Sequence, residues 1–178
     1  LKYFTDLFSE KFMDLETLKN ENLEIAKEKG LGSEPEEILV PEKVVLIHSE
    51  ISEAYGAFLK NELEGEHGFY GEMADSLLRT LHLAGIFGII YANQLPVVLL
   101  PAGIHAQVAL LHKILSKGYE SYRHKQTEDF KTKLVELTSA LVEMGRAHRF
   151  DLESKARQKM KKNRRRTWDK DGLNEKKA

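Results

Sequence analysis

The chain has 178 residues, 42% of them hydrophobic and 31% charged, with a formal net charge of −1. That length gives one domain with a real core, and the composition is that of a helix-rich globular protein. The sequence holds no cysteine, which excludes disulfides and thiolate metal sites. Its longest apolar run, 86–100, is interrupted by Asn93, Gln94 and Pro96 and is too short to span a bilayer. No signal-peptide pattern is evident, so the expectation is a soluble, cytoplasmic protein that does not engage a membrane.

Residues 3–18 place Phe4, Leu7, Phe8, Phe12, Leu15 and Leu18 at three- and four-residue steps. That is the period of an amphipathic helix, with a continuation towards Lys29 left open. Gly30, Gly32 and Ser33 stop it, and residues 34–37 begin a linker or a fresh turn. Residues 1–40 therefore read as an N-terminal helix and linker. Pro41 suits the first turn of a helix over 42–62. The main apolar stripe of that helix is Val44, Ile47, Ile51, Ala54 and Phe58; beside it run Leu46, Glu50, Glu53 and Ala57. The two acids are bracketed by apolar neighbours instead of lysines, which points them inward.

Residues 65–71 form a glycine-rich turn holding Glu66 and His67. The next helix is expected over 69–91, with Met73, Leu77, Leu81 and Ala84 apolar and Glu72, Asp75, Arg79 and His82 along one side. Residues 41–91 thus make one helical hairpin. Pro96 and Pro101 mark a connector. Helical runs at 104–122 and 128–148 make a second hairpin, 104–148, followed by a basic helix at 152–166 and a tail, 167–178, expected to be flexible. No strand-like alternation is convincing. The predicted class is all-α: a single-domain antiparallel helical bundle.

An internal echo links the hairpins. LIHSEISEAYGAF at 46–58 aligns with LLHKILSKGYESY at 110–122, matching His48 to His112, Ser52 to Ser116 and Tyr55 to Tyr119. At the acid positions the second copy has Ile114 and Lys117. The expectation is a pseudo-twofold bundle with one live hairpin and one degenerate hairpin that binds no metal.

Each of the pairs Glu50/Glu53 and Glu72/Asp75 reads acid-x-x-acid. Residues three apart share a helix face, so folding the two helices antiparallel brings four carboxylates together. Such a group stays ionised in a bundle interior only if a cation compensates it. Hard oxygen-seeking divalent ions suit it, Mg²⁺ first, with Mn²⁺ a substitute. Paired acids also occur as solvated surface charge; the apolar bracketing favours the metal reading.

The letters around these pairs, LIHSEISEA and EMADSLLRTLHLAGIFGI, resemble the helix pair of the MazG-like all-α nucleoside triphosphate pyrophosphohydrolases, which include the all-α dUTPases. The likeness covers 44–89 and returns in KMKKNRRR, where Lys159, Asn163 and Arg166 are similar to the family's Lys-x-x-x-Asn-x-x-Arg segment. The resemblance implies Mg²⁺ on Glu50, Glu53, Glu72 and Asp75, and cleavage of (deoxy)nucleoside triphosphates to monophosphate and pyrophosphate. It also implies phosphate or sugar contacts from Lys159, Asn163 and Arg166, Glu50 and Glu53 in catalytic roles with Glu53 as the water's base, and a homo-oligomer, a dimer favoured. Residues 91–150 exceed what a minimal member of that family needs.

Arg79, one turn beyond Asp75, is a candidate to orient it, and Phe4 or Phe8 to line a base pocket. His48 and His112 read as packing or hydrogen-bonding histidines. Glu64-x-x-His67 is half of a di-iron motif whose second copy does not exist here. The basic run 159–166 has three readings: a phosphate site, a solvated helix end, or a nucleic-acid contact. The acidic remainder of the chain, the lack of a DNA-binding motif and an aromatic complement limited to Trp168 argue against nucleic acid. A non-enzymatic helical interaction module, its basic end meeting a partner, is the alternative to the hydrolase.

Overall fold

A computed structural model describes residues 13–91 and 95–166 of the chain. These form six helices: α1 (Leu15–Glu28), α2 (Val40–Leu59), α3 (Phe69–Ile86), α4 (Ile104–Arg123), α5 (Thr127–Ala147) and α6 (Leu152–Arg165). One 3₁₀ turn, Pro35–Glu37, interrupts the linker before α2. Among the described residues there is no strand. α1 starts at Leu15, inside the run 3–18 that the hydrophobic period marks as helical. Met13 and Asp14 are not helical; Asp14 caps α1, its side chain accepting from the Thr17 N–H at 3.0 Å. Residues 3–12, with Phe4 and Phe8, lie outside the described residues, as do Trp168 and the tail.

Helix ends follow backbone rules more closely than hydrophobic period. α1 closes on Gly30 at φ +69°, with Leu31 N–H reaching back to Ala26 O and Gly30 N–H to Lys27 O, the Schellman pattern. α3 stops in the same way. Gly88 takes φ +65° and Ile89 N–H bonds Ala84 O, so the helix ends at Ile86, short of the predicted Tyr91. Asn61, Lys125 and Arg149 hold the equivalent positive-φ position after α2, α4 and α5.

Helices α2, α3, α5 and α4 pack around a square: α2 on α3, α3 on α5, α5 on α4 and α4 back on α2. Leu77, Leu81, Ile47, Leu111 and Leu134 fill its interior with essentially no exposure. α1 and α6 lie outside this square, both against α3 and touching each other. α3 therefore has helices on nearly every side, and 13 of its 18 residues are buried.

The echo between hairpins has a physical counterpart. α2 and α4 meet where His48 faces His112, Nδ1 to Nδ1 at 2.7 Å. Ring centroids only 5.0 Å apart with planes within 20° put the rings edge to edge through those nitrogens. One ring donates and its match accepts, so both histidines hydrogen-bond. His48 and His112, matched in the alignment of the two hairpins, are thus in direct contact. The Tyr55 hydroxyl and His105 Nδ1, 2.6 Å apart, extend the same seam.

Candidate functional site

The hairpin of α2 and α3 and the two outer helices enclose a cleft of about 270 Å³. α2 brings Glu50 and Glu53, α3 brings Glu72, Asp75, Arg79 and His82, and α6 brings Lys159, Asn163 and Arg166. All seven residues expected at a site from sequence thus line one cavity. α6 reaches it because Asp151 caps its start, accepting from Ser154 N–H at 2.9 Å, while Leu152, Ala156 and Met160 are buried beneath.

The carboxylates of Glu50, Glu53 and Glu72 offer oxygens within 4.8 Å of one another. Glu50 and Glu72 are buried, whereas Glu53 is exposed and accepts from Ser49 Oγ at 2.8 Å. Asp75 faces the same cleft, but its Oδ2 accepts from Lys159 Nζ at 2.5 Å and it stands outside that close trio. Arg79 does not orient Asp75 as expected. Its Nε donates to Glu50 Oε1 at 2.6 Å across the helix pair, because its long side chain leans from α3 towards α2.

Burial pushes the Glu50 carboxyl up to about 7; Arg79 beside it works the other way, and the hydrogen bond and charge of Glu72 add to the rise. Glu72 is raised chiefly by burial, opposed by its hydrogen bond with Glu50. Asp75 is raised by burial against the pull of Lys159. Carboxyls crowded together and raised by burial offer an all-oxygen donor set that could hold a hard divalent cation.

Across the cleft, Lys159 Nζ also donates to the Glu66 carbonyl at 2.6 Å. Arg166 Nη2 donates to Glu66 Oε1 at 2.6 Å, and Lys162 pairs with the same carboxylate. Elsewhere on α6, Lys155 pairs with Glu64, Arg157 with Glu21 and Glu153, and Arg164 with Glu28. Much of the basic helix is therefore paired with acids of its own chain, while Lys161 and Arg165 are exposed.

Two residues at the site escaped assignment from sequence. Glu66 meets α6, and His67 sets Nδ1 3.1 Å from Glu72 Oε1 although its side chain is 81% exposed. The turn's glycines were the available signal. A Cβ on Gly68 would lie 2.2 Å from Glu64 O, and one on Gly71 2.5 Å from Glu66 O. The turn folds tightly over the start of α3, which aims Glu66 and His67 at the cleft.

The inner end of the cleft is apolar, lined by Ile25, Ala26, Leu31, Leu46 and Leu78, with Asn22, Lys43 and His82 among them. His82 Nε2 donates to Gly32 O at 2.8 Å. Burial lowers the ring to about 4, outweighing that hydrogen bond, so the ring is neutral at neutral pH. No protein-family model matches this chain, and neither the curated proteins nor the solved structures give a significant match.

Proposed function

We propose that the chain is a Mg²⁺-dependent nucleotide pyrophosphohydrolase that cleaves (deoxy)nucleoside triphosphates to monophosphate and pyrophosphate. The observation that carries this reading is the facing of two chemistries across one cleft. Oxygens of Glu50, Glu53 and Glu72 lie within 4.8 Å of each other, and Lys159, Asn163 and Arg166 line the opposite wall. Pyrophosphate release needs both: carboxylates to hold a cation, and cationic donors for phosphate oxygens. The resemblance of 44–89 and 159–166 to the MazG-like enzymes supports the same reading.

Glu50, Glu53, Glu72 and, once Lys159 turns to the substrate, Asp75 would hold the metal. When bound, it neutralises phosphate charge and makes a coordinated water more acidic. Glu53, the exposed member, is the base that takes the water's proton. The water oxygen forms its bond to the α-phosphorus as the bond to the α–β bridging oxygen breaks, and that oxygen leaves with pyrophosphate. Arg166 and Lys159 steady the departing phosphates, Arg166 through a planar fork suited to their oxygens. The apolar inner end, with Asn22 and His82, is where a base would lodge.

The test is a pyrophosphate-release screen over the common nucleoside triphosphates and dUTP, with Mg²⁺ and with EDTA. Metal-dependent release of pyrophosphate with monophosphate is expected. Orthophosphate release would move the cleavage site, and a folded protein silent on the whole panel would overturn the reading in favour of a helical interaction module. Ion pairing of α6 to its own chain already weighs against a module whose basic end serves a partner.

A further inference from the structure

The turn between α2 and α3 touches both walls of the cleft at once. Glu66 lays its carboxylate on Arg166 Nη2 at 2.6 Å and on Lys162, and its carbonyl on Lys159 Nζ at 2.6 Å. The adjacent residue, His67, lays a ring nitrogen 3.1 Å from Glu72 Oε1. One dipeptide thus puts an anion on the cationic wall and an imidazole on the carboxylate wall. A metal–polyphosphate complex would bring the same charges to the same two walls.

These contacts are built to exchange. The Glu66 side chain is 35% exposed and that of Lys162 44%, so water already competes for the pair and its net worth is modest. The dipeptide follows Gly65, at φ +99° with open space around it, a residue able to absorb a backbone change at little steric cost, while Gly68 stays packed against Glu64 O.

We propose that Glu66–His67 is a latch that substrate displaces: the Glu66 carboxylate sits on the phosphate-binding cations, a polyphosphate drives it off, and His67 leaves Glu72 in the same movement. This rests on reading α6 as the phosphate side of the cleft. A closed latch lowers apparent affinity by the fraction of molecules open. A singly charged anion competes poorly with an attached carboxylate, whereas a polyphosphate chain contacts several cations together.

The experiment is calorimetric titration of inorganic tripolyphosphate into the wild-type chain and Glu66→Gln, in EDTA. Glutamine keeps the length and removes the competing charge, so about tenfold tighter binding is expected. Equal or weaker binding by Glu66→Gln overturns the latch, since a merely structural Glu66 would give that result. Metal and turnover play no part, so a chain that tightens without hydrolysing any nucleotide keeps the latch and loses the enzyme. One that hydrolyses without tightening does the reverse. No binding by either form overturns both the latch and the phosphate reading of α6. Should Glu66→Gln fail to fold, hydrogen exchange on the wild-type chain decides. Amides of 64–68 should exchange faster with tripolyphosphate bound, and unchanged or slower exchange overturns the proposal.

Discussion

The two hairpins place equivalent residues in equivalent surroundings and differ in what they put there. From Leu46 to Tyr55 and from Leu110 to Tyr119 the pattern of buried, half-buried and exposed positions is the same at every step. Glu50 is 8% exposed and its match Ile114 is 3% exposed; Glu53 and its match Lys117 both face water. At the matched position the second hairpin buries an isoleucine. A buried glutamate at the same place is a cost the bundle does not require. That contrast is one reason for proposing Glu50 as a site residue.

Breaking the live hairpin should have the largest effect. Glu50→Gln is expected to lower pyrophosphate release at least about a thousandfold, the scale of losing a metal-holding or charge-stabilising group. Its melting temperature in EDTA should not fall. Retention of near wild-type turnover would remove Glu50 from the site. At the matched position, Ile114→Ala removes buried apolar volume and should cost about 2–4 kcal/mol in urea unfolding while turnover of the folded protein persists. Reversal of these two outcomes would mean the hairpins had been assigned the wrong way round.

Acid titration separates the halves again. His82 lies on α3 and stays neutral down to about 4, against an ordinary value of 6.5. As pH falls below 6.5 the unfolded chain takes up a proton that the folded chain refuses. The His82 share of stability therefore drops between 6.5 and 4 and is constant below 4, while the raised Glu50, Glu72 and Asp75 carboxyls work the other way as pH falls. That share should be about 3 kcal/mol, read as the difference between wild type and His82→Gln in the pH dependence of urea midpoints. Copying the degenerate hairpin into the live one, Glu50→Ile, should raise metal-free stability by about 1–3 kcal/mol, since apolar replacement of buried charge is often stabilising. Lys117→Ala, exposed and outside the cleft, should move stability by less than about 0.5 kcal/mol and leave turnover alone.

The features legible in sequence were those written in local period. The hairpins, the inward Glu50 and the basic helix all rest on spacings within one helix, and each of these helices formed; Glu53, expected to point inward with Glu50, is instead exposed. What escaped reading depends on partners far along the chain or on backbone conformation. Arg79 was assigned to Asp75, its neighbour on the same helix, yet it pairs with Glu50 on the facing one. Glu66 gave no sign of its role because its partner Arg166 lies 100 positions away. The start of α1 at Leu15 is set by the Asp14 side-chain cap, which the hydrophobic step of the sequence does not mark. Similarly, Gly88 ends α3 inside an apolar run whose period gives no reason to stop.

The position of α6 against α3 has a consequence for how the protein comes into being on the ribosome. Lys159 meets Asp75 across 84 positions of chain, and Arg166 meets Glu66 across 100. The carboxylates therefore emerge from the exit tunnel well before the cations that face them. At a few residues per second to about 20, several seconds or more separate the two. Only at the end of that interval, once α5 is out, can the square of α2 to α5 close around its leucines while Asp75 still faces solvent. The nascent chain gains its core first and its two-walled cleft last, so a ribosome stalled before α6 emerges would carry a folded bundle with an open site.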